Sequence, residues 1–565
     1  MKITQSLLSW RSFNDKIIHS PLRSRALVFL PPVAAILALL LSTASNSFAG
    51  SATWNLNPTS NDWNTAENWT PNTVPNGPSD VATFGTSNTD NVSVSVETQV
   101  DSIIFNPGAS GFSITANPAV SQSSLQLTIS GAGITNNSEV PQNFVAAMDA
   151  AGNGSLIDFT NTATAGSLTS FTTEANPTGD SEWGAYVSFH GSASAGDGTF
   201  YNNGSAVDGS SGGVTIFWEN ATAGNGTFVS GGGTVSGALG SSTWFNDRSD
   251  AGNAIITCNG GTVSGADGGI IAFAQNASLS NATLIVNGGV GGASGGSIWF
   301  DLYKATDGNR ARVELFGNGI MRVYQAYPTA VVNIGSLEGD GIVSLGRREL
   351  TVGRNHLSTT FSGLIEGDSG GAALTKIGLG TLTLSGANTY TGTTTVVAGG
   401  LIVGNTTGSA TGTGAVQVKG GTLGGNGSID GTVSIGAGRG TGAFLEPSAG
   451  TSKPTSTTLT IQKTLTFKPD ATYSYKLNSR EAEADSVVAH GATIESGAQF
   501  SMSVVGRGIL NPGTVFTVIN NTAGTPIAGA FANLPDGSTF TAGRNNFQAS
   551  YTGGTGNDLT LTVVP

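Results

Sequence analysis

Glu219 and Asp247 stand 28 residues apart, and the same step separates other like residues in the chain. If the chain closes one coil every 28 residues, and coils stack at the ~4.8 Å spacing of paired strands, the two carboxylates lie one above the other. That separation is near the ~5–5.5 Å of a retaining glycosidase pair, and two acids so placed could also seat a calcium ion. The same column holds Gly191 and Gln275, and Arg248 follows Asp247 directly, so a mixed polar column is the plainer reading. His190, His356 and His490 lie far apart and fall in no HExxH or Ser–His–Asp pattern. Cys258 is the sole cysteine. It has no partner for a disulfide within the chain and reads as a small buried apolar residue. GGTGND (553–558) matches the start of a calcium-binding nonapeptide, but it occurs once and the leucines after it, Leu559 and Leu561, are out of phase. A tight turn before the last strand is the better expectation. None of these groups points to a catalytic residue, a resident metal or a cofactor.

Trp54, Trp63 and Trp69 form a second cluster, each beside an asparagine (Asn55, Asn64 and Asn68). Indoles stack on sugar rings and amides bond sugar hydroxyls, so a carbohydrate platform is one reading. The other is a cap whose indoles cover the first coil, which the bulk and usual burial of tryptophan favour.

The elements that must position these residues follow from the repeat. Phe189, Phe217, Phe245 and Phe273 recur at 28 residues each time. Gly196, Gly224 and Gly252 keep that step, as do Ala193, Ala221 and, two steps on, Ala277. IDFTNTATAG (157–166) and IWFDLYKATDG (298–308) are looser copies. Within each unit, short runs rich in Thr, Val, Ile and Phe alternate with Gly/Asn/Ser turns, and helical periodicity is absent. A propeller blade needs roughly 40–50 residues, so the period fits a solenoid of stacked parallel strands with the phenylalanines as an interior column.

Composition agrees. Charged residues make up 10% of the 565 and glycine accounts for 83, with no Gly-X-Y period, so coiled coils and collagen are excluded. The first 49 residues hold Lys2, Arg11, Lys16, Arg23 and Arg25, then the apolar run Ala26–Leu41, then small residues around Ser47-Phe48-Ala49. This is the pattern of an export signal cleaved after Ala49. The apolar run is short for a membrane span and Pro31-Pro32 interrupts it. Without the leader, 18 basic and 35 acidic residues remain, a net charge of −17. Such a surface repels phosphate backbones, so nucleic acid is not an expected partner. No other apolar run approaches transmembrane length.

One stretch resembles a known family. LTKIGLGTLTLSGANTYTGTTTVVAGGLIVGN (374–405) closely resembles the autotransporter-associated beta-strand repeat, also called the passenger-associated transport repeat. The likeness rests on Leu374, Lys376, Gly378, Gly380, Leu382, Leu384, Gly386, Asn388, Tyr390, Gly392 and Val396; Thr393 stands where the family often has a second glycine. The Trp-rich run at 54–85, the diverged unit at 334–355 and the tail at 531–564 resemble segments of exported bacterial proteins with this repeat. The resemblance implies a right-handed parallel β-helix, export, and a cell-surface or secreted location. It implies no catalytic chemistry. Many such proteins are autotransporter passengers, but no run of amphipathic strands sufficient for an outer-membrane barrel is expected after the tail.

The chain therefore divides into an export signal (1–49), a Trp-rich N-terminal β segment or cap (50–150), β-helix repeats (151–450) and a C-terminal β segment (451–565). The last either continues the solenoid or caps it. The functional expectation is an all-β, exported, adhesive or structural repeat protein. Its expected partners are cell-surface or extracellular polysaccharide or other envelope proteins. A polysaccharide-active enzyme and a carbohydrate-binding module are the alternatives.

Overall fold

The computed structural model describes residues 50–118, 127–180, 183–302, 310–324, 331–368, 370–440, 442–449 and 456–565. The expected signal segment and its cleavage point at Ala49 lie outside them.

A strand such as Val214–Phe217 is too short to be stable alone, but its register with its neighbours repeats coil after coil. Phe189 pairs with Phe217, Phe217 with Phe245 and Phe245 with Phe273, all in parallel. The strands so joined form a 14-stranded first sheet, parallel except where Ala52–Trp54 pairs antiparallel with Trp69–Thr70 at its start. A second sheet begins at Asn91–Val94 and proceeds in parallel through Thr199–Asn202 and Thr227–Ser230. It ends with Ala471–Asn478 against Gln499–Val505. The chain is a parallel β-helix, each coil passing from one sheet to the next.

Between the two sheets each early coil turns a corner that is one residue wide. Thr164, Ser194, Thr222, Asp250 and Ser278 are linked there by single parallel bridges. Ala193, Ala221 and Ala277 fill the inside of this corner, each at most 2% exposed, because larger side chains would not fit so close to the axis. From Val332 onward the corner widens into a third, eight-stranded sheet running to Ala492–Ile494. Coils there have three sides and are shorter.

The repeat phenylalanines form the expected interior column. Rings at 159, 189, 217, 245 and 273 are stacked 4.7–4.9 Å apart and within 9° of parallel. A second column, which the 28-residue period did not by itself reveal, rises from the opposite sheet: Phe144, Phe171, Phe200 and Phe228, with centroids 4.6–5.0 Å apart. The columns meet edge to face within each coil, as in Phe217 against Phe228 at 5.7 Å and 75°. Both geometries are the ones aromatic quadrupoles favour.

Gly-rich loops (203–213, 231–241, 259–269 and 287–296) return each early coil from the second sheet to the first, and they also stack. Gly209 donates its N–H to Gly237 and Gly237 donates to Gly265. A methyl group at Gly240 would come within 2.2 Å of the Gly268 carbonyl oxygen, so only glycine lets the loops approach this closely.

The ladders cross both expected internal boundaries. Leu127–Asn136 pairs with Leu156–Phe159 near residue 150, and Ala443–Leu445 with Ala471–Asn478 beyond 450. The C-terminal part continues the solenoid and then closes it. Val515–Asn521 pairs antiparallel with Asp558–Val564, which pairs with Asn545–Gly553 and through it with Thr539–Ala542. GGTGND is the turn between the last two strands, and Asp558 there accepts the Asn521 N–H at 2.9 Å.

Candidate functional site

Glu219 and Asp247 sit at the turn that leaves the first sheet, in a column of left-handed residues: Asn161 (φ 58°), Gly191 (68°), Glu219 (55°), Asp247 (55°) and Gln275 (58°). For a residue with a side chain this conformation costs roughly 1–2 kcal/mol. The side chains offset it by bonding one coil back. Glu219 Oε2 accepts the Gly191 N–H at 2.6 Å, Asp247 Oδ2 accepts that of Glu219 at 3.0 Å, and Gln275 Oε1 accepts that of Asp247 at 3.0 Å. The acids do share a column, as the period places them. Each is a strut between coils, and a neutral amide performs the same task one step on. With Asn220, Arg248, Gln275 and Asn276 they line a shallow, open depression. Among the described residues no three of His, Cys, Asp and Glu converge as a metal site would require.

The tryptophans of the N-terminal cluster face inward. Trp54 is 2% exposed, and Trp63 and Trp69 are fully buried. All three rings close on Phe84, at 6.1, 5.6 and 5.5 Å, and Phe84 stacks on Phe105. Their indole N–H groups donate to the carbonyls of Thr89, Pro75 and Trp63. The neighbouring amides are engaged too: Asn55 with the Glu67 carbonyl, Asn64 with Thr98, and Asn68 with Thr59 and the Asp62 carbonyl. This corrects the platform reading: no indole face there is free to meet a sugar, and the cluster caps the first coil.

Of the histidines, His356 Nδ1 accepts the Leu379 N–H at 3.1 Å and His490 Nδ1 lies 3.4 Å from Thr522 Oγ1. His190 has richer company on the outer face of the first sheet. Its Nε2 lies 3.5 Å from Asp158 Oδ1, and its ring lies parallel to Trp218 at 6.3 Å. Ser188 donates to the same Asp158 oxygen. Burial raises the Asp158 carboxyl above the ordinary carboxylate range, against the opposing pull of His190 and the Ser188 hydrogen bond. Serine, histidine and aspartate are thus together, but both proton donors point at the acid. A nucleophile needs its hydroxyl on the imidazole, so the trio is built for a buried carboxylate, not for acyl transfer. Sequence reading missed Asp158 because its coil is 30 residues long: Asp158 pairs with Ser188, two places off the 28-residue step.

Cys258 is buried, its Sγ 3.6 Å from the Ser297 carbonyl, and burial pushes the thiol up to about 12. A thiol held protonated in this way is inert at neutral pH.

The remaining outward positions of the first sheet are aromatic. Ser188, Ile216, Trp244, Ala272 and Trp299 occupy one outward column, and His190 and Trp218 continue into the next. Trp183 meets Trp244 edge to face at 6.1 Å, and Trp244 meets Trp299 likewise at 6.4 Å.

Buried polar groups in the repeat at 374–405 serve the backbone. Lys376, 1% exposed, donates to the carbonyls of Ile377, Gly378 and Ala398, and burial lowers its ammonium to about 8. Asn388 accepts the Ile365 N–H and donates to the Ala410 carbonyl. The motif positions that carry the family likeness are therefore corner fasteners.

Comparison with known proteins agrees. The family model described as Passenger-associated-transport-repeat matches residues 374–403. A curated relative, the Adhesin BmaC autotransporter of Brucella suis biovar 1 (strain 1330), is 38% identical over 100 residues. That stretch is 18% of this chain and 3% of the relative, so the chain matches only a small part of the relative's length.

Proposed function

We propose that this autotransporter-associated repeat protein is an exported adhesive rod, held at the cell surface or outer membrane, whose sides make the contacts. The observation that supports this most is the unbroken stacking of coils around a passenger-type repeat. At ~4.8 Å a step, the first sheet's fourteen strands give a side about 60 Å long. A solenoid of that kind offers an extended contact surface and needs no catalytic cleft. The likeness to an adhesin, short as it is, points the same way.

The test is to express the whole chain in a non-adherent bacterium and follow protease accessibility on intact cells together with settling on epithelial monolayers. The expected outcome is a protease-sensitive surface protein and several-fold more attached cells, a gain that shaving with protease abolishes. A chain that stays protected inside the envelope, or surface display with no gain in attachment, would remove the proposal's basis.

A further inference from the structure

We infer that the outer face of the first sheet, between Trp183 and Trp299, binds a neutral glycan chain laid along the coil axis. The inference deepens the adhesive reading by naming what the rod would hold.

Tryptophan is costly to leave at a surface, and a soluble protein seldom lines up several without a use for them. Here Trp183, Trp218 and Trp299 are half-buried on one outward face, joined through Trp244. Trp244 and Trp299 stand two coils apart with Ala272 between them, so the sequence leaves a notch where a larger side chain would fill the space between the indoles. The Trp299 indole N–H is buried without a hydrogen-bond partner. An unmet buried donor costs about 1–3 kcal/mol, and an oxygen arriving with a ligand removes that cost.

Beside this aromatic strip runs the polar turn column. Its depression offers carboxylates, amides and a guanidinium from Glu219, Asn220, Asp247, Arg248 and Asn276. The column repeats at the coil step of ~4.8 Å, close to the length of one pyranose residue. Sugars present an apolar C–H face and a rim of hydroxyls that both donate and accept. Indole faces with acceptors and donors alongside are complementary to both parts. Charge narrows the class. Asp158, Glu219, Asp247 and Asp301 outnumber Arg248 on this face, so a uronate or sulfated chain is repelled and a neutral hexose or N-acetylhexosamine chain is not.

The experiment uses the whole chain. Cello-, manno- and chito-hexasaccharides and polygalacturonate are titrated while tryptophan emission and heat are followed. One neutral series is expected to bind. Trp218→Ala and Trp299→Ala should each weaken it by about tenfold or more. The exposed pair Arg248→Ala/Asn276→Ala, which removes no core contact, should weaken it several-fold. Tyr201→Ala, exposed on the second sheet, should leave it unchanged. The inference is overturned by silence from every neutral series at millimolar concentration, by preference for polygalacturonate, or by binding that survives both the tryptophan variants and the Arg248/Asn276 pair. Cells that still attach when these residues are replaced would retain the adhesive reading and discard this one.

Discussion

Two stretches of the solenoid solve the same problem differently. In coils between residues 156 and 300, like lies on like: phenylalanine columns inside, alanines at the corner, glycine loops stacked on glycine loops. In the coils around 374–405 the core is aliphatic, with Leu374, Leu382, Leu384, Val396 and Leu401 all buried, and the corners are closed by single polar side chains reaching backbone groups. The first scheme gains its stability from repetition, so each side chain depends on its copies above and below. The second gains it from individual hydrogen bonds, so it depends on position within one unit. The longer, two-sided coils hold their shape by stacking; the shorter, three-sided coils turn more sharply and need their turns fastened.

The comparison can be broken at its strongest point by Phe217→Ala. Phe217 is sandwiched between Phe189 and Phe245 and abuts Phe228, so its loss should cost about 3–5 kcal/mol in urea unfolding. Hydrogen exchange should quicken in the coils on both sides. An effect confined to one coil would mean that the columns are not cooperative.

A smaller effect tests the second stretch through pH. The folded-state pKa of Lys376 lies below its unfolded value, so between about 8 and ~10.4 the unfolded chain holds the extra proton. The cost of burying the charge is fully present below pH 8 and fades as pH rises through that window. Relative to Lys376→Met, the native chain should therefore gain up to about 3 kcal/mol between pH 8 and 10.4. Buried Tyr390, whose hydroxyl is raised by burial, opposes further gain above pH 10 in both proteins, so the difference between them isolates the lysine. A flat difference would mean that Lys376 is not charged in the folded state at neutral pH.

The smallest effect is expected at the acidic column. Gln275 already does with an amide what Glu219 does with a carboxylate. Glu219→Gln should therefore change stability by less than about 0.5 kcal/mol, read by thermal melting. A larger loss would assign the charge a role that the geometry does not.

Much of this was legible from residue spacing. The Phe189–Phe273 column follows from a strict period, because in a parallel stack equal steps mean vertical alignment. The placing of Glu219 beneath Asp247 follows from the same rule. Asp158 was not legible, since a coil two residues longer breaks the arithmetic just below it. The outer tryptophans escaped notice because they sit in different outward columns and in loops, so no single period contains them. The N-terminal tryptophans were visible as a cluster, but which way a cap's indoles point depends on where the first coil ends, which only the fold reveals. Lys376 and Asn388 stood out through family likeness. Their task, meeting backbone groups at corners, depends on neighbours one coil away.

The in-register phenylalanines have one more consequence. Excising residues 214–241 would remove a whole coil and set Phe189 directly against Phe245, with the strands on either side still matched. Such a molecule can grow or shrink by whole coils without designing a new interior each time. Its length is thus a variable that duplication and deletion of gene segments can tune, while the ends, with their buried indoles and closing hairpins, stay as they are.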